Sequence, residues 1–269
     1  MPSSTAAKSE TPIVSMEHIY KIFNPGSVNE VVLFQDFNLQ IARGSFVSVV
    51  GSNGSGKTTM LNLLCGSLSP DEGKIFVQGK DITKLREYER SRFLGRVFQD
   101  PASGTCPQLT ILENMALADQ KQGHYRLRPG VNRKRAAFYQ EQLSLLHLGL
   151  EDKLEVSVGS LSGGQRQALA LLIATMTPID LLILDEHTAA LDPRSSETVM
   201  ELTQRIVKEK QITTLMVTHN LKFAIGFGDR LLMMHRGHVV LDAADAQKDA
   251  LDVKDLTDRF NEISIEDGN

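Results

Sequence analysis

No stretch of this sequence approaches the roughly 20 consecutive apolar residues that cross a bilayer. Residues 1–11 are polar and hold no apolar signal core, so any membrane the protein serves must be spanned by a separate chain. Cysteine is scarce. Cys65 and Cys106 are the only two, and their lack of metal-ligand spacing fits a reducing cytoplasm. An excess of basic charge is missing as well: 29 Lys and Arg stand against 33 Asp and Glu, for a formal net charge of -4. Such a chain has no general attraction to nucleic acid or anionic lipid, although a local basic patch stays open. Internal repeats and heptad arrays are absent. What remains is an ordinary globular composition. With 269 residues and 41% hydrophobic content, a substantial core can form in one large domain or two modest ones.

The stretch around which the chain is organised is Gly51-Ser52-Asn53-Gly54-Ser55-Gly56-Lys57-Thr58-Thr59, directly after the apolar run Phe46 to Val50. Its spacing is that of a phosphate-binding loop. The glycines let the backbone turn so that its N–H groups converge on a polyphosphate, and the helix opening near Gly56 points its positive end at the same anion. Lys57 would reach the β- and γ-phosphates, and Thr58 would offer its hydroxyl to Mg²⁺. A Gly-Ser loop that happens to contain Lys-Thr is the bland alternative. The buried-strand run before it and the apolar Met60 to Leu64 after it are the context the functional reading demands.

Residues 1–11 read as a disordered leader. From Ile13 to Phe23 and Val31 to Ile41 the pattern alternates as half-buried antiparallel strands do, and Lys74 to Gln78 resumes that portion. Phe46 to Val50, Leu94 to Phe98, Leu181 to Leu184 and Ile212 to Val217 are short apolar runs, the last three with polar residues at their ends. Runs of this kind, alternating with helices, build a parallel α/β core. A short helix is expected over Leu85 to Arg92. Thr110 with Glu113 predicts a capping box and a helix to about Ala118; Asn132 caps another over Arg133 to Leu148; Ser162 with Gln165 caps a third. Residues 100–165 thus read as a helical subdomain, with the polar basic loop 120–130 as a solvated surface, a partner surface being the alternative. Asp192-Pro193 starts a helix to about Lys208, and Leu231 to Met234 and His238 to Leu241 flank Arg236-Gly237 as a hairpin. The folded domain is expected over 12–245, followed at 246–269 by a polar tail, partly helical at best.

Four polar features stand at the ends of buried strands: the glycine loop, Gln99, Asp185-Glu186 and His219. Ligands of an open parallel sheet bind off the carboxyl ends of its strands, so the four are expected to converge. With Leu161-Ser162-Gly163-Gly164-Gln165 lying between the phosphate loop and the acidic strand, the sequence resembles the ATP-binding cassette (ABC) family over about Ile13 to Asp242. The resemblance implies an α/β P-loop NTPase fold with a mixed sheet, parallel core plus antiparallel β subdomain, and ATP and Mg²⁺ as cofactors.

Role by role, the resemblance implies Glu186 as the base that polarises or orients the attacking water, His219 as the switch histidine on the γ-phosphate, and Lys57 as the phosphate lysine. Asp185, Thr58 and Gln99 would serve the Mg²⁺ shell, and Gln99 would report occupancy to the helical subdomain. Ser52 to Thr59 would hold the nucleotide. Phe23 aligns with the aromatic that stacks on adenine, a core phenylalanine being the alternative. Asp192 reads both as an N-cap and as the D-loop aspartate. His187 departs from the usual proline and reads as a neutral spacer or a modulator of pH dependence. Ala190 stands where serine is frequent.

The same resemblance implies head-to-tail pairing of two cassettes, Ser162, Gly163, Gly164 and Gln165 of one facing the ATP held by the other. Glu186 to Asp192 and Met216 to Asn220 look most like a bacterial subgroup serving uptake of small solutes, aromatic amino acids among them. The expected function is therefore that of an ATP-hydrolysing importer subunit on the cytoplasmic face of the cell membrane. Its partners would be integral-membrane permeases and a separate solute-binding protein, with no nucleic acid. An exporter subunit, a soluble cassette of DNA repair or translation, and a small-molecule kinase are the competing readings; the last fails to explain the signature.

Overall fold

The computed structural model of the chain describes residues 12–121 and 130–266. The leader expected over 1–11 and the middle of the basic loop 120–130 lie outside the described residues. In chain order the strands are β1 (Val14–Phe23), β2 (Val31–Ile41), β3 (Phe46–Gly51), β4 (Glu72–Val77), β5 (Lys80–Asp81), β6 (Leu94–Val97), β7 (Leu181–Asp185), β8 (Thr213–Val217), β9 (Arg230–His235) and β10 (His238–Ala244). The α-helices are α1 (Lys57–Cys65), α2 (Glu87–Arg90), α3 (Ile111–Asp119), α4 (Ala136–Ser144), α5 (Gly163–Thr175), α6 (Pro193–Lys210), α7 (Leu221–Gly226), α8 (Ala246–Asp249) and α9 (Val253–Glu266).

The apolar runs form the centre of a six-stranded sheet, ordered β10-β9-β3-β8-β7-β6, in which β9, β3, β8, β7 and β6 are parallel. Side chains alternate between the faces of a strand, and here both faces are covered. Val47, Val49, Ile183, Leu215 and Val217 pack with α1 and with the second sheet, β2-β1-β4-β5, which is antiparallel. Leu182, Leu184 and Met216 pack on the opposite side with α5 and α6 and with the apolar residues of α3 and α4. The helices of 100–165 thus share one cluster with the sheet.

Local signals account for the helix starts. Thr110 Oγ accepts from the Glu113 amide at 3.2 Å while the Thr110 amide donates to Glu113 Oε2 at 2.8 Å. Asp192 accepts from the Ser195 amide at 3.0 Å, with Pro193 at the first helical position. Three expectations need correction. The short charged helix covers only Glu87–Arg90, because Arg90 turns inward and the chain leaves toward β6. The helix expected from Arg133 to Leu148 is a 3₁₀ turn at Arg133–Arg135 followed by α4, which stops at Ser144; His147 and Gly149 then take left-handed backbone conformations that no helix continues through. The tail is no loose appendage. Leu256, Phe260 and Ile263 recur at helical spacing in α9 and pack with Ala224 and Ile225 of α7, Leu256 being fully buried.

Two contacts outside the sheet hold the phosphate loop in position. The Gly237 amide in the β9–β10 turn donates to Ser55 O at 2.9 Å; Gly237 has φ +78°, and a Cβ there would sit 1.7 Å from Leu33 O. At the far end of α1, buried Arg90 donates to Leu63 O at 2.6 Å and Leu64 O at 2.9 Å, and to Leu85 O and Thr83 O at 2.8 and 2.9 Å. One guanidinium therefore satisfies the terminal carbonyls of the helix that the loop opens. Arg90→Met should strip those carbonyls of their donor and cost roughly 2–3 kcal/mol, seen as a fall in Tm of about 5–10 °C. A Tm within a degree of the parent would contradict this role.

Candidate functional site

Strand register brings the expected residues to one edge of the sheet. Val49 pairs with Val217, Val217 with Asp185, and Leu184 with Val97. The residues that follow, from Gly51, Thr218, Glu186 and Phe98 onward, consequently leave the sheet at the same level. The Glu186 amide continues the ladder to Val217 O at 2.9 Å, and the Thr218 amide does the same to Val49 O at 3.1 Å. A cavity of about 300 Å³ opens there, lined by Asn53 to Thr59, Glu186, His219 and Phe23. Val31 and Leu33 of β2 also line it and were not among the expected residues; Val31 pairs with Phe23, and nothing in the alternating pattern of β2 sets the two apart from core valine and leucine.

The phosphate loop is organised by its own lysine. Lys57 Nζ donates to Gly51 O at 2.7 Å and Ser52 O at 2.9 Å, with Ser55 Oγ at 3.5 Å. Burial holds the Lys57 pKa below the ordinary lysine value, and the nearby Glu186 charge works against that shift. Gly56, at φ 104°, precedes α1 without a side-chain cap, so the first amides of α1 receive no side-chain acceptor and stand beside the cavity. Ser52 lies outside the cavity lining, although its carbonyl holds Lys57.

Across the cavity, His219 Nε2 lies 2.7 Å from Glu186 Oε1. Glu186 has φ 47°, a left-handed backbone that turns the chain abruptly out of β7. His187, next to it, points away and is buried. The Thr203 hydroxyl donates to Val199 O at 2.7 Å and therefore accepts from His187 Nε2 at 3.3 Å. Burial pushes the His187 pKa down to about 4, so the ring stays neutral around neutral pH, which favours the spacer reading over the pH modulator.

The remaining expected residues do not line the cavity. Asp185 Oδ2 accepts from Arg96 Nη2 at 2.7 Å, an ion pair that sequence inspection did not suggest. Gln99 leaves the sheet at the same level, and the preceding Phe98 O accepts from buried Gln167 Nε2 of α5 at 3.0 Å. The α5 N-terminus gathers with the Asp192 turn. Ser162 Oγ accepts from the Gln165 amide at 3.3 Å and Gln165 Oε1 accepts from the Ser162 amide at 3.2 Å, which spends the Gln165 side chain on the cap. A Cβ on Gly163 would meet Leu191 at 3.2 Å, and one on Gly164 would meet Ser195 at 3.1 Å. Within one chain, then, Ser162 to Gln165 and Asp192 form a cluster of their own.

Comparison with known proteins places the chain in a family. Residues 34–189 match the family described as ABC transporter. The tyrosine transport ATP-binding protein of Clostridioides difficile (strain R20291) is 44% identical over 250 residues, 92% of this chain and 98% of that protein. The thiamine import ATP-binding protein ThiQ of Haemophilus influenzae (strain 86-028NP) is 33% identical over 214 residues, 79% of this chain and 93% of that protein. Among solved structures, the dimeric post-hydrolysis state of the ATP-binding cassette MJ0796 bound to ADP and Pi matches with a TM-score of 0.72 at 30% identity, covering 86% of this chain and 98% of that one. A family match over more than half the chain, with a 44% identical relative covered almost end to end, makes this protein a member of the ABC transporter family, whose cassettes hydrolyse ATP to power transport.

Proposed function

We propose that this chain is the energy-coupling subunit of a bacterial importer of a small solute, with an aromatic amino acid as the favoured class. The substrate class rests on the 44% identical tyrosine transport relative and the direction on the import relatives; neither is read from the site, which the solute never enters. The observation that carries hydrolysis is the 2.7 Å contact between His219 Nε2 and Glu186 Oε1 on the wall of a cavity floored by the phosphate loop.

In this reading Lys57 exchanges the carbonyls of Gly51 and Ser52 for the β- and γ-phosphates. The first amides of α1 and the amides of Ser52 to Thr59 hold the same phosphates, and Phe23, with Val31 and Leu33, gives the adenine an apolar face. Glu186 orients the attacking water and takes its proton, while His219 holds Glu186 and contacts the γ-phosphate. The oxygen donors of Thr58, Asp185 and Gln99 suit Mg²⁺, a hard cation that takes few protein ligands and most of its shell from phosphate and water. Bound there, Mg²⁺ would neutralise charge on the phosphates.

Ser162, Gly163, Gly164, Gln165 and Asp192 are proposed to act on the nucleotide of a second cassette, each ATP holding the pair closed until hydrolysis releases it. A groove of about 1400 Å³ between β6 and the helices α3 and α4, bordered by Phe98, Asn114 and Tyr139, is the proposed seat of the permease. Among the described residues no helix is long and apolar enough to cross a membrane, so attachment to the inner face of the cell membrane would run through that partner. A separate solute-binding protein would deliver the solute; nucleic acid has no part.

Glu186→Gln should keep ATP binding, cut hydrolysis by about 100-fold or more and trap a dimer on size exclusion in ATP. A variant that stays monomeric in ATP, or that hydrolyses at the parent rate, contradicts the assignment. Affinity purification from detergent-solubilised membranes should bring down an integral-membrane permease; recovery of ribosomes or repair factors without one would overturn the transporter reading.

A further inference from the structure

Arg96 lines the large groove and also reaches the carboxylate at the end of β7. From β6 it reaches Asp185 Oδ2 at 2.7 Å, its guanidinium carbon lies 4.7 Å from the centre of the Phe98 ring, and its Nε is buried without a partner. Arg96 and Phe98 also line the large groove, as do Cys65 and Glu87. Cys65 offers no competing anion, because burial pushes its thiol up to about 11. Glu87, exposed at the start of α2, is a different matter. Its charge attracts Arg96, and among the described residues it forms no ion pair of its own.

One guanidinium thus has two carboxylates within its electrostatic reach, one on the sheet edge and one on the groove wall. A divalent cation approaching Asp185 would compete with Arg96 for the same carboxylate oxygens, since two cations on one carboxylate repel at close range. We propose that Arg96 is a positioning residue that exchanges carboxylates, pairing with Asp185 until Asp185 turns to the metal shell and then with Glu87 on the groove wall. The flat Phe98 ring is the surface over which the guanidinium turns, and the unpartnered Nε supplies a donor for the second acceptor. The exchange rests on the reading of Asp185 as the metal-side carboxylate. Its consequence is that the charge of the groove changes with the metal state of the nucleotide site, and by reciprocity an occupant that engages Glu87 alters metal affinity at Asp185.

The test is equilibrium binding of a fluorescent ATP analogue by the full chain, titrated with Mg²⁺ without reference to turnover. Arg96→Met removes the competitor and should lower the half-saturating Mg²⁺ concentration roughly tenfold, with Arg96→Lys, which keeps the charge but not the planar fork, restoring only part of the parent value. Glu87→Gln, at an exposed position where folding is not at stake, should raise it several-fold in the parent and leave it unchanged in the Arg96→Met background. Additive effects of the two substitutions, or a higher Mg²⁺ requirement in Arg96→Met, would overturn the exchange while leaving the metal reading intact. An Asp185→Asn chain with the parent Mg²⁺ dependence would overturn the metal reading, and the exchange with it.

Discussion

A parallel sheet covered on both faces leaves its polar side chains little room except at its ends. In this chain β3, β8 and β7 carry apolar residues on each face, packed between α1 with the antiparallel sheet on one side and α5 with α6 on the other. The polar residues of the site gather at the carboxyl edge, whereas the short side chains of Ser48 and Thr214 are buried within the strands. Register does the rest: with Val49, Val217 and Asp185 side by side, the phosphate loop, His219 and Glu186 have no choice but to be neighbours. The 2.7 Å contact between His219 and Glu186 is a consequence of core packing as much as of local chemistry.

Charges inside this edge are each met by a partner. The Lys57 ammonium is satisfied by Gly51 O and Ser52 O, and the Asp185 carboxylate by Arg96. Under the proposed function a phosphate would replace the carbonyls on Lys57 and a cation would replace Arg96 on Asp185, so that binding would substitute one set of interactions for another. Supports farther out are of a different kind. Arg90 on the end of α1, Gly237 under Ser55 and the His187–Thr203 bond against α6 are buried contacts with nothing to exchange, and they keep the loop and the turn after β7 in place.

What could be read from the sequence was what depends on neighbours in the chain. The capping residues Thr110, Ser162 and Asp192 act three residues away and were legible, as were the strands, whose period follows from burial. Arg96 with Asp185 and Gln167 with Phe98 are pairs separated by 89 and 69 residues, and no local pattern announces them. The sequence reading of the tail as partly helical at best falls short of α9 because Leu256, Phe260 and Ile263 are diluted by charge, and their packing on α7 is a tertiary contact that no local pattern announces. The early stop of α4 turns on the left-handed backbone at His147 and Gly149, of which only the glycine was visible. Within the candidate site, Phe23 and Asn53 to Thr59 line one cavity with Glu186 and His219, whereas Ser52, Gln99, Asp185, Asp192 and Ser162 to Gln165 do not.

That separation is the centre of the proposed function, in which a single chain holds two half-sites and catalysis would require the half-site of a second copy. Mixing two inactive variants tests this most directly. A chain with Lys57→Ala and a chain with Ser162→Arg should each lose hydrolysis alone, but a dimer of the two would contain one composite site with an intact phosphate loop and an intact signature. ATP turnover measured against mixing ratio is predicted to rise above both variants and to peak near equal amounts. A mixture that never exceeds the sum of its parts would contradict the shared site.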